Sequence, residues 1–277
     1  MPRLERLCLP RSETFWALGG RPGTFKTAIA WNLALNAAEE GQRVLFVTLE
    51  MTGAEMALRG LAKFSGLEKR RITQAFTTKD RRPFNDEESG RWSRAETKLK
   101  SLALQLRVHT AEGNGRDIDD VIRSATRNRF DAVFVDHLGM IGRDSGGDEL
   151  KVLSAAIHRL RGLCKGESVK DYRPWVVATS QFSRDSDKED RIPRLADFRG
   201  CARIEHDTEV AIGLQPRKRP AGDESPMVQV DGFVLKNRDG PPGVVLMFDV
   251  NGAIGLVTEH QFPAVGPPPH WQDGETT

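Results

Sequence analysis

One stretch of the sequence has residue types and spacing suited to holding phosphate: Gly20-Arg21-Pro22-Gly23-Thr24-Phe25-Lys26-Thr27. It matches the pattern GxxxxGK(S/T) at every position but Phe25, where a second glycine is expected. In such a loop successive backbone N–H groups at a helix N-terminus wrap a β-phosphate. The Lys26 ammonium neutralises β- and γ-oxygens, and the Thr27 hydroxyl ligates Mg²⁺. If the position of Phe25 requires a positive φ, its side chain costs on the order of 1–2 kcal/mol there, which phosphate binding could offset. An ordinary Gly/Pro turn beside an exposed lysine shares this pattern, so other residues must decide between the two.

Two carboxylates end apolar runs: Asp136 closes 132–135 and Glu50 closes 43–49. Open α/β sheets bind ligands beyond the carboxyl ends of their strands. Asp136 is therefore a candidate for holding Mg²⁺, and Glu50 for polarising an attacking water as general base. Gln181, beyond the run 175–179, is placed to sense a γ-phosphate by hydrogen bonding. Each of these alone also reads as a solvated strand-end group. In order behind a phosphate loop they favour the catalytic reading. His137 reads as a packed strand-end imidazole.

These residues need a sheet to bring them together. Hydrophobic patterning predicts strands over 14–18, 43–49, 104–109, 132–135 and 175–180. It predicts helices over 28–38, 52–67, 118–129 and 150–165, with surface helices joined by a loop in 77–102. That alternation implies an α/β fold with a largely parallel central sheet flanked by helices. After Pro193 the runs 210–214, 227–235 and 244–250, separated by Pro/Gly turns, predict C-terminal β-hairpins. The expected organisation is a short segment over 1–13, the α/β domain over 14–260 and a disordered tail over 261–277.

With 277 residues, 38% apolar and 29% charged, the chain can bury the core of one large α/β domain. Its 41 basic and 39 acidic residues leave a formal charge of +2. Any nucleic-acid contact must then come from local clusters. No apolar run approaches the roughly 20 residues that span a bilayer, and residues 1–11 lack the apolar core of a signal peptide. No membrane partner is expected, and the expected compartment is cytoplasmic. Cys8, Cys164 and Cys201 form no CxxC pair and read as reduced thiols. The basic stretch 215–220 reads as a solvated hairpin tip. Trp16, Trp31 and Trp175 read as core residues, while Trp92 and Trp271 lie outside the apolar elements.

Taken in order, these motifs resemble the DnaB family of replicative DNA helicases. Gly20 to Thr27 is similar to that family's nucleotide loop, Leu49-Glu50-Met51 to its catalytic-glutamate motif, and Val135-Asp136-His137-Leu138 to its Walker B strand. Ser180-Gln181-Phe182-Ser183-Arg184 resembles the family's S-Q-L-x-R segment. Asp197-Phe198-Arg199-Gly200-Cys201-Ala202-Arg203-Ile204-Glu205-His206-Asp207 resembles its D-L-R-x-S-G-x-I-E-Q-D DNA-binding loop. Lys236-Asn237-Arg238-Asp239-Gly240-Pro241-Pro242-Gly243 resembles its K-x-R-N-G-P-x-G arginine-finger strand. Order and approximate spacing hold from Phe15 to Gly255.

The resemblance implies a RecA-like P-loop ATPase that uses ATP and Mg²⁺. It implies a homo-oligomeric, usually hexameric, ring with ATP between subunits, single-stranded DNA through the centre, and a primase or loader as further partner. Residues 20–27 would bind the nucleotide, with Lys26, Glu50 and Gln181 catalytic and Thr27 and Asp136 serving the metal. Arg199, Arg203 and, in the loop 139–147, Arg143 would grip DNA. Arg238, with Lys236 beside it, would reach the neighbour's γ-phosphate, where a well-placed cation stabilises the transition state. The sequence departs from the family at Phe25, and at Gly200, Cys201 and Ala202, which replace acidic, serine and glycine residues. Only a short segment precedes the first strand, with no helical primase-interaction domain and little room for a linker helix. The alternative is a RecA/RadA- or KaiC-like ATPase that remodels DNA or protein without unwinding.

Overall fold

The computed structural model describes residues 1–8, 10–77, 81–110, 117–142, 148–183, 191–219, 222 and 224–260. Arg143, Arg184, Trp271 and the whole segment 261–277 lie outside the described residues. The strands are β1 (Phe15–Gly20), β2 (Val44–Thr48), β3 (Leu106–Thr110), β4 (Ala132–Asp136), β5 (Trp175–Gln181), β6 (Val210–Pro216), β7 (Met227–Asn237), β8 (Val245–Asn251) and β9 (Leu256–Glu259). The helices are α1 (Pro2–Cys8), α2 (Lys26–Glu39), α3 (Gly53–Ser65), α4 (Lys69–Phe76), α5 (Asp86–Leu102), α6 (Ile118–Asn128), α7 (Glu149–Cys164) and α8 (Cys201–Asp207).

The strands form one nine-stranded sheet in the order β3-β2-β4-β5-β1-β6-β7-β8-β9. From β3 to β6 every pairing is parallel, and β6 to β9 add an antiparallel meander. The central strands β1, β2, β4 and β5 are buried on both faces, which is why they read as nearly continuous apolar runs rather than alternating ones, whereas the edge strand β3 is partly exposed. Trp16, Leu18, Phe46, Phe134 and Val177 face one core with α2, while Phe15, Ala17, Leu45, Val133 and Val135 face the other with α6 and α7. Trp16, Trp31 and Trp175 are core residues as expected. Trp92 packs with Phe76 and Phe84 in a satellite cluster under α3.

The elements with helical or strand periodicity appear where the sequence places them, with ends shifted by a few residues. Among the described residues of 77–102, where surface helices joined by a loop are expected, there is one helix, α5. Asn85 caps it: its side chain accepts from Glu88 N at 2.8 Å, and Glu88 accepts in return from Asn85 N at 3.1 Å. Four short elements lie outside the predicted ones: α1, α4, α8 and β9. At the β6–β7 connection Arg217 folds back onto buried Asp231 at 2.8 Å, while Lys218 and Arg219 are exposed. Cys8 and Cys164 are buried free thiols, and burial pushes each up to about 12. Among the described residues no helix is long and apolar enough to cross a membrane.

Candidate functional site

Four neighbouring strands, β2, β4, β5 and β1, end at one rim of the sheet. Register places Thr48 beside Asp136 and Gly20 beside Gln181. The parallel topology thus gathers groups that are 26 to 181 in the chain, because each crossover returns the strand to the same polarity.

Beyond β1 the chain turns through Gly23, at φ 79°, into the first turn of α2. Phe25 adopts the left-handed conformation (φ 63°, ψ 22°) that the phosphate-loop pattern reserves for glycine. Its ring is partly buried against the α2-side core. It lies on the β8–β9 turn, where a Cβ on Gly252 would come within 3.2 Å of Phe25 Cε1. Burial of the ring offsets the backbone cost, which accounts for a bulky residue at this position. Lys26 is buried, and its ammonium donates to Gly20 O at 2.8 Å and Arg21 O at 2.6 Å. A cavity of about 280 Å³ flanks the loop between Arg21, Thr24, Phe182, Pro193 and Gln215. A larger one, about 490 Å³, opens at the beginnings of β4 and β5 around Asp131 and Trp175, away from these groups.

Asp136 is 2% exposed, and its Oδ1 accepts from Thr179 Oγ1 at 2.6 Å. Burial raises its pKa, opposed by the hydrogen bond from Thr179, by the neighbouring Thr27 hydroxyl and by His137. Asp136 Oδ2 is buried without a hydrogen-bond partner in the protein. Buried carboxylate oxygens are normally satisfied. An orphaned carboxylate oxygen beside a threonine hydroxyl is a hard-oxygen donor pair that suits Mg²⁺. Thr27 and Asp136 therefore fit the metal expected of them. Sequence reasoning missed Thr179, although its place two residues before Gln181 puts it on the same face of β5.

Glu50 lies two residues past Thr48, with its side chain 61% exposed. The turn behind it is fixed by Met51 N donating to Thr48 Oγ1 at 3.0 Å and by a capping box between Thr52 and Glu55. His137 is buried, and its Nδ1 accepts from Gly139 N at 3.2 Å. That bond leaves the proton on Nε2, which faces Glu50 Oε2 at 3.7 Å. His137 is thus a packed imidazole that flanks the proposed base.

The sequence profile of the DnaB-like helicase C-terminal domain matches residues 10–252. The chain belongs to this DnaB-like family. It is 27% identical over 247 residues to the "Probable plasmid replicative DNA helicase" of Chlamydia trachomatis, covering 85% of this chain and 49% of that protein. It is 26% identical over 265 residues to the replicative DNA helicase DnaB of Rickettsia bellii, covering 83% and 51%. The chain spans about half the length of the curated relatives it matches. A solved ATPase domain superposes with a TM-score of 0.77 at 22% identity, over 94% of this chain and 89% of that one. A solved DnaB-like replicative helicase, studied with primase, gives 0.74 at 22% identity over 92% and 61%. The likeness to these structures establishes the RecA-like fold, and the family match does not favour the alternative of a RecA/RadA- or KaiC-like remodelling ATPase.

The segments that resemble the DnaB DNA loop and arginine-finger strand stand differently to the rim cluster. The first hangs directly on β5: Arg199 N donates to Gln181 O at 3.1 Å, and Ser183 N to Asp197 O at 2.7 Å. Phe182 and Phe198 meet edge to face, 5.2 Å between ring centroids. The Arg199 guanidinium ion-pairs with Glu149 in the first turn of α7. Arg203 points instead to Asp207, at 3.7 Å. That buried carboxylate also meets His206 at 2.8 Å and Arg161 at 3.7 Å. No local pattern announces Glu149, 50 positions from Arg199, whereas the i,i+4 spacing of Arg203 and Asp207 would have signalled that pair once a helix was assigned there.

Lys236 and Arg238 sit at the other end of the sheet from the phosphate loop. Arg238 N donates to Glu209 O, and Glu209 N to Phe15 O, so Arg238 is level with the start of β1. Five strand residues at about 3.3 Å each separate that level from Gly20, roughly 17 Å. The Lys236 ammonium donates to the Glu205 and Thr208 carbonyls at the end of α8. Burial and then the charge of Arg238 lower its pKa. The Arg238 guanidinium is exposed and donates to His206 O at 2.8 Å.

Proposed function

We propose that this chain is the ATP-driven motor of a ring-forming DNA helicase that translocates on single-stranded DNA. The observation that carries the reading is the convergence of Lys26, Thr27, Glu50, Asp136 and Gln181 on one rim of four adjacent strands. Family membership and the order of the motifs support it.

ATP would bind with its phosphates on residues 20–27, the N–H groups at the start of α2 and the Lys26 ammonium offsetting their charge. Bound Mg²⁺, held by Thr27 and Asp136, would neutralise charge developing on the β- and γ-phosphates. Glu50, exposed at the rim, takes a proton from the attacking water. Gln181 reports the γ-phosphate to the segment carrying Arg199, because its carbonyl accepts from Arg199 N. Arg238 serves the ATP of the neighbouring subunit, and Arg199, Arg203 and Arg143 contact DNA phosphates. The helicase studied with primase makes a primase or loader the natural further partner.

Two substitutions test the core of this reading. Lys26→Ala should abolish ATP binding in a calorimetric titration. Glu50→Gln should bind ATP like the parent yet lose turnover, since the amide cannot accept the proton. Unchanged affinity in the first or unchanged turnover in the second removes the corresponding assignment.

A further inference from the structure

Both neighbours of Arg238 are held by the N-terminal segment. Asn237 is 8% exposed, and its side chain works in two directions. Nδ2 donates to Leu7 O at 2.7 Å, while Oδ1 accepts from Asp239 N at 3.3 Å. The second bond closes an Asx-turn around Arg238. The first ties that turn to the end of α1. Arg11 adds an ion pair to Asp239 at 2.7 Å. The approach is close enough that a Cβ at Gly240 would lie 2.6 Å from Asn237 Nδ2 and 3.0 Å from Leu7 O.

The helix is itself a firm anchor. Arg3 N and Leu4 N donate to the Glu259 carboxylate on β9 at 2.8 and 2.9 Å, and Leu4 and Cys8 are buried in the core. On the far side of the turn, Lys236 and Arg238 bond the carbonyls at the end of α8. The arginine is thus exposed on a backbone clamped from two directions.

We propose that Asn237, tied to Leu7, is a positioning residue for the Arg238 finger. The inference rests on the reading of Arg238 as a trans-acting group. A finger must meet a γ-phosphate on another subunit, and a displacement of about 1 Å can lower a rate on the order of 100-fold. A long, rotamer-rich side chain needs its backbone fixed to avoid that loss.

Asn237→Asp isolates the contact, because its carboxylate can still accept from Asp239 N but cannot donate to Leu7 O. ATP affinity and ring assembly should match the parent, while kcat falls on the order of 10- to 100-fold. Mixing Asn237→Asp with Lys26→Ala subunits should restore part of the activity, since the first supplies an intact phosphate loop and the second an intact finger. Parental kcat, or a kcat loss without complementation, overturns the inference. Arg238→Ala measured in parallel separates the failures: a parental rate there removes the finger itself, whereas a slow Arg238→Ala beside a normal Asn237→Asp removes only the role of Asn237. If Asn237→Asp does not fold, Arg11→Ala and Arg11→Lys decide. A kcat reduced in the alanine variant and restored by lysine supports the clamp, and equal rates in both overturn it.

Discussion

Phe25 is the residue at which sequence and structure bear on each other most directly. The phosphate-loop pattern wants glycine there because the backbone is left-handed, and the backbone is left-handed, at φ 63°. What the sequence could not give is the compensation: the Phe25 ring rests on Gly252, more than two hundred positions away. Phe25→Ala keeps the strained φ and loses the ring, so it should destabilise the protein by about 1–2 kcal/mol. Phe25→Gly loses the ring but also the strain and should be more stable than Phe25→Ala by about 1 kcal/mol. Urea unfolding of the two variants checks the order. An alanine variant as stable as the glycine variant would mean that the left-handed backbone carries no penalty here.

At the scale of elements, the segment 195–207 links the two halves of the proposed cycle. Its backbone is laddered onto the end of β5, so any shift of Arg199 is felt at Gln181. Its side chain is engaged by Glu149 on α7, a contact a DNA phosphate would have to displace. Glu149→Gln should therefore tighten single-stranded DNA binding several-fold at low salt, and Arg199→Ala should weaken it with a salt slope shallower by about 0.7. Fluorescence anisotropy across salt concentrations measures both. Unchanged or weaker binding by Glu149→Gln removes the competition. The sheet itself was legible because its central strands β1, β2, β4 and β5 are buried on both faces and separated by amphipathic helices. α1, α4, α8 and β9 were not, since seven, eight, seven and four residues give too few periods to read. The rim residues Asp136 and Gln181 were legible because each ends a strand, and Glu50 because it closes the apolar run that carries β2. Thr179, Glu149 and Asn237 act through partners 43, 50 and 230 positions away, which spacing along the chain does not encode.

For the whole molecule, the placement of Arg238 against Lys26 is the feature that argues for assembly. Arg238 is level with the start of β1, whereas the phosphate loop that carries Lys26 follows the end of β1 at Gly20, roughly 17 Å away along the strands. That is farther than an arginine side chain extends, so a finger at Arg238 serves a different subunit's ATP or none. A head-to-tail interface that repeats and closes gives a ring with one nucleotide site per junction. ATPase activity per subunit should accordingly rise with protein concentration, and Arg238→Ala should bind ATP but hydrolyse it on the order of 10³-fold more slowly. Mixing Arg238→Ala with Lys26→Ala is the decisive measurement. Neither variant alone has a complete junction, but in a randomly mixed ring roughly a quarter of junctions pair an intact loop from one subunit with an intact finger from the next. Activity should then return to a fraction of the parental rate, reaching its maximum near equal proportions. A finger acting within its own subunit predicts loss without recovery at any ratio, and an uninvolved surface arginine predicts no loss in Arg238→Ala at all. Either result would leave the rim cluster intact as an ATP site while removing the intersubunit junction, and the ring would then need some other contact to justify it.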